Sequence, residues 1–440
     1  MKNQQENSTM GRHLLRALAI GVLALSSLAH GVASAAAVSG EILVKLFRAD
    51  VLPPLLLKYG LTTVSQFGAR PIFRLRAIDP LADAATIVEA LAVEPGVLIA
   101  QENIINASPE ARKNRVFAIG TQADYAAQWA PSTLRLARVH ALSTGVGVRI
   151  AVLDTGVDFT HPLLARKLLP GKDFVDGDTV PAEVGTYNID KGFGHGTHIA
   201  GIVATAAPGA KIMPLRVLDP QGEGNTWVLA EALLYAVDPD ANPASDDGAH
   251  VINLSLGSPE RTELLDTIAR LASCAIVAVP DPLEPKADFS DPGYNDDKSR
   301  CANSRGAVLV AAAGNDSSKR REFPAGEGAY GLMAVGASTA AHRLAAFSNF
   351  GSWVHLAAPG EAITSSVPGG GFGTWSGTSM ATPWVAATAA LLISADPLLT
   401  PDEIVPRIAR STARLCGTKM RELDPLAALT GDAPRSVTCR

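Results

Sequence analysis

From Val148 onward, apolar runs of strand length alternate with small-residue-rich runs of helix length, and this alternation leaves few architectures open. Val148-Arg-Ile-Ala-Val-Leu-Asp reads as a buried strand, and His195–Thr205 is helix-compatible. Lys211–Leu218, Val251–Leu256 and Ala307–Ala313 are further strands. Val228–Ala236, Leu264–Ala272 and the long Ser379–Ser394 stretch are helices. Strands that are apolar on both faces and separated by helices predict a doubly wound α/β fold, with a mostly parallel sheet covered on both sides. In such folds the chemistry collects in loops beyond the carboxyl ends of the strands.

The chain before this region reads differently. Lys2, Arg12 and Arg16 precede an apolar run, Leu18–Leu28, which ends near Ala33-Ser34-Ala35. This is the pattern of a cleaved signal peptide over residues 1–35, since the run falls short of the ~20 residues a bilayer span needs. The mature chain is therefore expected to be exported, either secreted or periplasmic, with no membrane span. Residues 38–107 predict a small α+β unit. Its strands are Glu41–Phe47, Pro71–Arg76 and Val97–Asn103, and its helices are Pro54–Tyr59 and Leu81–Val93. Residues 108–124 are polar and basic without a period, and read as a linker to a domain over 125–440. The formal net charge of −5 argues against a nucleic-acid partner, which calls for a basic domain or stripe. The four cysteines, Cys274, Cys301, Cys416 and Cys439, include no CxxC motif. Export permits disulfides, and residue spacing alone leaves three pairings open.

Polar residues stand among glycines and other small residues at four places: Val152-Leu-Asp154-Thr-Gly-Val, Gly194-His195-Gly-Thr-His198, Ala311-Ala-Ala-Gly314-Asn315 and Ser376-Gly-Thr-Ser379-Met-Ala-Thr-Pro. A serine hydroxyl becomes a nucleophile when an imidazole takes its proton, and a carboxylate orients that imidazole and stabilises its charged form. Each residue also has a plainer reading. Asp154 suits a strand-end turn, Ser379 a helix cap, and Asn315 a left-handed turn. His195 and His198 are three apart with no glutamate between them, which departs from the HExxH zinc motif. His198 reads as a packed structural histidine. Asp238, Asp240, Asp246 and Asp247 read as a solvated acidic loop rather than a calcium site.

Taken together and in this order, the motifs resemble the subtilisin family of serine peptidases (subtilases) over roughly residues 125–430. The resemblance implies Asp154, His195 and Ser379 as the catalytic triad of a secreted endopeptidase acting through an acyl-enzyme. It also implies Asn315 as oxyanion donor alongside the Ser379 backbone N–H. Loss of the matching asparagine in subtilisin itself costs about 2.7–4 kcal/mol in kcat. Ser255, Leu256, Gly257 and Gly314 correspond to the substrate-binding strand and pocket. The space left by the two glycines suggests a large apolar residue at P1, on the acyl side of the scissile bond. A strict preference for basic or acidic P1 residues would overturn that expectation.

Further expectations follow from the family. The N-terminal unit matches its inhibitory propeptide, whose last strand should bring residues near Asn103–Ala107 into the site, with processing somewhere in 103–124. Polypeptides are the substrates, the chain is a monomer, and no cofactor is required for chemistry. The common high-affinity calcium site is expected to be absent. Ile202–Gly209 runs straight on towards Lys211, and Leu163-Leu stands where a ligand aspartate belongs. Cys274 and Cys301 stand at the feet of an insertion over 275–300, which favours pairing them, and Cys416 with Cys439. The rival readings are a processing protease with one partner substrate and a non-catalytic peptide-binding module.

Overall fold

The computed structural model describes residues 36–242, 244–274, 300–302, 304–328 and 331–439. The signal-peptide reading of 1–35 and most of the 275–300 insertion lie outside the described residues.

The N-terminal unit contains β1 (Ala37–Leu46), β2 (Leu61–Gln66), β3 (Ile72–Ala77) and β4 (Val97–Ala107), with helices Leu52–Tyr59 and Ala84–Leu91. Its strands are antiparallel in the order β2-β3-β1-β4. Alternate residues Ile42, Val44, Leu46, Phe73 and Leu75 turn inward to meet Leu55 and Leu91, as the strand period requires. The opposite face packs onto the rest of the chain, with Phe67 edge-on to Trp227 at a centroid distance of 5.4 Å. Glu41 is buried between the two units. Burial opposes its charge, but Arg74 (2.8 Å), Arg76 (2.6 Å) and Asn103 (2.8 Å) outweigh that and hold its carboxyl below the usual range.

β5 (Ala118–Gly120) is the first strand of the larger unit that follows. The main sheet holds β6 (Arg149–Asp154), β7 (Lys172–Asp173), β8 (Lys211–Arg216), β10 (Val251–Leu254), β11 (Val308–Ala312), β12 (Leu332–Ser338), β13 (Leu356–Pro359), β16 (Thr412–Arg414) and β17 (Arg421–Leu423). Its order is β16-β17-β13-β12-β11-β10-β6-β8-β7, parallel except for β16. The central strands are buried on both faces, which is why they read as unbroken apolar runs. The chain winds from β6 through β8 in one direction and from β10 through β13 in the other. The topological switch point therefore falls between β6 and β10, where their carboxyl ends leave a crevice.

β14 (Ile363–Val367) and β15 (Gly371–Trp375) form a hairpin that is extended by β5. The Thr378–Ala395 helix is long and apolar enough to cross a membrane by length and composition, yet it lies in the protein core. β9 (Glu223–Asn225) pairs with β4 and carries the N-terminal sheet into the larger unit. Cys274 is bonded to Cys301, and Cys416 to Cys439.

Candidate active site

Asp154 ends β6 at the switch point, and His195 opens the His195–Ala206 helix. Asp154 Oδ1 lies 2.7 Å from His195 Nδ1 and accepts a second bond, from the Thr155 N–H, at 2.8 Å. The glycines around His195 make this approach possible. Gly194 has φ +85°, and a Cβ on Gly196 would stand 2.1 Å from the Gly156 carbonyl. Trp375 packs edge-on against both His195 (5.3 Å) and His198 (5.8 Å). His198 is fully enclosed, with Nε2 3.1 Å from the carbonyls of Ile363 and Gly373, and burial holds its pKa down at about 3. It is a neutral packing residue.

Ser379 is the second residue of its helix. Pro383, four positions on, has no N–H to offer the Ser379 carbonyl. Ser255 Oγ takes that place, donating to the Ser379 carbonyl at 3.0 Å. The proline of the serine motif and the serine after β10 thus complete one another. Asn315 Oδ1 accepts from the Thr378 N–H and hydroxyl, both at 2.9 Å, which fixes the amide and leaves its nitrogen free to donate.

His195, Ser379 and Asn315 converge on a residue that sequence reasoning did not single out. Glu110 is fully buried. Its Oε2 accepts from the Ser379 hydroxyl at 2.6 Å and lies 3.1 Å from His195 Nε2. Its Oε1 accepts from Asn315 Nδ2 at 2.7 Å. A Cβ on Gly377 would lie 1.6 Å from that Oε1, so the glycine leaves the space that the carboxylate fills. Burial opposes the Glu110 charge, but His195, Ser379 and Asn315 outweigh it and draw its pKa down. Burial likewise opposes a charge on His195, but Asp154 first and Glu110 second overcome this and raise its pKa to about 10. The arrangement is an imidazolium between two carboxylates.

The segment carrying Glu110 reaches the site along a defined path. Ala107 and Gly257 exchange backbone hydrogen bonds of 2.9 and 3.0 Å, and the Ser108 N–H donates to the Gly222 carbonyl at 3.0 Å. Pro109 follows, and Ala111–Lys113 form a 3₁₀ turn. The stretch read as a linker is thus anchored in the crevice, with Ser108, Glu110 and Phe117 buried. The local clue was an acid directly after Ser108-Pro109, where a strand must stop and turn.

Two other carboxylates were missed. Glu183 accepts from the hydroxyls of Thr155 (2.7 Å) and Thr197 (2.8 Å), and burial pushes its pKa up to about 7. Glu322 lies beside Gly257 and Gly314, where the two glycines alone suggested empty space. Nothing in the spacing around Phe323-Pro324 connects it with Ser379. Asp238, Asp240 and Asp247 bring their oxygens within 4.8 Å of one another, and the Ser245 hydroxyl links Asp240 and Asp247 at 2.9 and 3.2 Å.

A strand-end acid, a helix-start histidine and a serine at a second helix start, gathered at the switch point of a parallel sheet, define the class of α/β serine hydrolases. Comparison with known proteins narrows this. The model of the subtilase family matches residues 145–426, and the chain belongs to that family. It is 38% identical over 258 residues to a thermophilic serine proteinase of Bacillus sp. (strain AK1), a match taking in 56% of this chain and 52% of that protein. It is 34% identical to thermitase of Thermoactinomyces vulgaris, over 61% of this chain and 82% of the relative. The crystal structure of fervidolysin from Fervidobacterium pennivorans, described as a keratinolytic enzyme related to subtilisin, shares the fold. It has a TM-score of 0.67 at 22% identity and covers 90% of this chain and 62% of that one.

Proposed function

We propose that this chain is an exported serine endopeptidase made as a self-blocked precursor. One observation carries the reading: Ser379, His195 and Asn315 all direct hydrogen bonds at a single carboxylate, that of Glu110. Groups able to hold two oxygens in that way suit the oxyanion and leaving group of an acyl transfer.

Once Glu110 has left, His195 loses the cation's second carboxylate partner and releases its Nε2 proton to solvent. Ser379 Oγ then attacks the scissile carbonyl and the neutral His195 Nε2 takes the hydroxyl proton. Asp154 fixes the imidazole through Nδ1 and stabilises the cation that forms. The carbonyl oxygen becomes an oxyanion that the Asn315 amide meets, with the Ser379 backbone N–H as second donor. His195 then protonates the leaving amine, and water releases the acyl group by the reverse sequence. Gly257 and β9 hold an extended substrate between them, as they now hold Ile105–Ala107.

Residues 38–107 serve as the inhibitory propeptide in this reading, with Ser108–Glu110 completing the block. Residues 1–35 serve as the export signal. The family's high-affinity calcium site is absent, a proposal supported by the short connection from the helix end at Ala206 to β8 at Lys211. EDTA is expected to leave the melting temperature unchanged, and a large fall would refute that point.

Fluorophosphonate labelling tests the central claim. The processed protein should label stoichiometrically and hydrolyse casein, and Ser379→Ala should do neither. Failure of the wild type to label after processing would refute the hydrolase assignment.

A further inference from the structure

We propose that Glu322 sets the primary specificity of this site, and that the enzyme cleaves after arginine first and lysine second. The inference rests on the peptidase reading above and adds its substrate class.

Gly257 and Gly314, which the family resemblance assigns to the substrate pocket, both face Glu322. A Cβ built on Gly257 would lie 3.6 Å from Glu322 Oε2, and one on Gly314 would lie 2.6 Å from Glu322 Cγ. The Glu322 side chain therefore lies against both walls, within the room the glycines leave. Its main chain is fixed there, because Phe323 exchanges backbone hydrogen bonds of 2.8 and 2.9 Å with Ser258, one residue past Gly257. The carboxylate is 3% exposed.

The blocking segment shows what this carboxylate accepts. Two residues after Glu110, the Arg112 guanidinium meets Glu322 through both terminal nitrogens, NH1 to Oε1 at 3.3 Å and NH2 to Oε2 at 2.9 Å. This is the planar fork that suits arginine better than lysine. The next residue, Lys113, pairs with Asp316 outside the pocket at 2.5 Å. Of the neighbouring cations, Arg320 is directed to Glu260 at 3.6 Å. Burial pushes the Glu322 carboxyl up, and Arg112 is the chief influence holding it down. When the segment leaves, a largely enclosed carboxylate loses its main cation. A basic substrate side chain restores that partner, whereas a large apolar one lies against an uncompensated charge. The earlier expectation of a large apolar P1 residue rested on the two glycines alone and is replaced by this one.

A decisive test measures kcat/KM for otherwise identical peptides bearing Arg, Lys, Leu, Phe or Glu at P1. The full-length chain is expressed and purified after self-processing, and active sites are counted by fluorophosphonate. Arg is expected to exceed Leu and Phe by at least about 100-fold, with Lys between them. Glu322→Gln should lower the Arg-to-Leu ratio about 100-fold. Glu322→Asp, which keeps the charge but shortens the reach, should retain more of the preference for Arg. A wild-type profile led by Leu or Phe, or a Gln variant with the wild-type ratio, overturns the proposal while leaving the peptidase intact. The wild-type profile needs no variant, so misfolding of a mutant does not protect the idea. If the wild type neither labels nor cuts any of the peptides, the peptidase reading itself fails and this proposal falls with it.

Discussion

At the nucleophile, the blocking segment brings the acid and the resident groups supply the donors. At the neighbouring pocket the roles are reversed, since Glu322 is resident and the segment brings Arg112. The two contacts also differ in depth. Glu110 is fully enclosed, whereas the Arg112 side chain is 27% exposed. Opposite polarity at two points two residues apart fixes the register of the segment. A slip that moved Glu110 into the pocket would set carboxylate against carboxylate, and one that moved Arg112 to Ser379 would set a cation beside His195. Opposite depth implies that the first contact provides most of the block and the second mainly aligns it.

Four experiments bear on this contrast. The largest effect belongs to Ser379→Ala, which should lower hydrolysis about 10⁶-fold, the scale known for the same triad in subtilisin. It should leave full-length chain on a gel, because self-processing needs the same nucleophile. Asn315→Ala acts on the donor side alone. It should lower kcat about 10²- to 10³-fold without changing the ranking of P1 residues, and a changed ranking would show that the two regions are not separable.

Comparing Glu110→Ala with Arg112→Ala tests depth directly. Fluorophosphonate labelling of the unprocessed band should rise about tenfold in the first, which loses enclosed, charge-assisted bonds. It should rise about threefold or less in the second, which loses a partly exposed pair. Equal rises would remove the distinction drawn here.

The smallest effect concerns Glu183, a carboxyl behind His195 that the segment does not touch. Its pKa in the folded chain is raised to about 7 from an ordinary 4.5. The folded state therefore binds more protons than the unfolded one between these values, and stability falls as pH rises through that window. Glu183→Gln should lack this loss, so its melting temperature relative to wild type should increase between pH 4.5 and 7. A constant difference would place the raised pKa elsewhere.

Much of the fold was legible because the central strands are buried on both faces and the helices between them are rich in small residues. Val148–Asp154, Lys211–Arg216 and Val251–Leu254 are all strands. The hairpin β14–β15 was missed, since Ile363-Thr-Ser-Ser-Val is short and polar and is stabilised through contacts such as Ser365 Oγ to the His198 carbonyl at 2.8 Å. Asp154, His195, Ser379 and Asn315 were legible because each stands in a small-residue frame that the geometry requires. Glu110 and Glu322 have no such frame. Each gains its meaning from a partner more than 200 positions away along the chain, Glu110 from Ser379 and Glu322 from Arg112. Periodicity and local motifs do not register such pairings.

The continuation of β4 onto β9 has a consequence beyond inhibition. Ile105, Asn106 and Ala107 pair with Asn225, Gly224 and Glu223 as one antiparallel ladder. If that strand departs, as proposed above, β9 is left with an open edge, and only a chain with free main-chain donors and acceptors can complete it. Helices and interior strands have already committed theirs. On the proposed reading the enzyme would examine the conformation of a protein before its sequence, and a basic residue in a well-folded region would remain uncut until local unfolding released it.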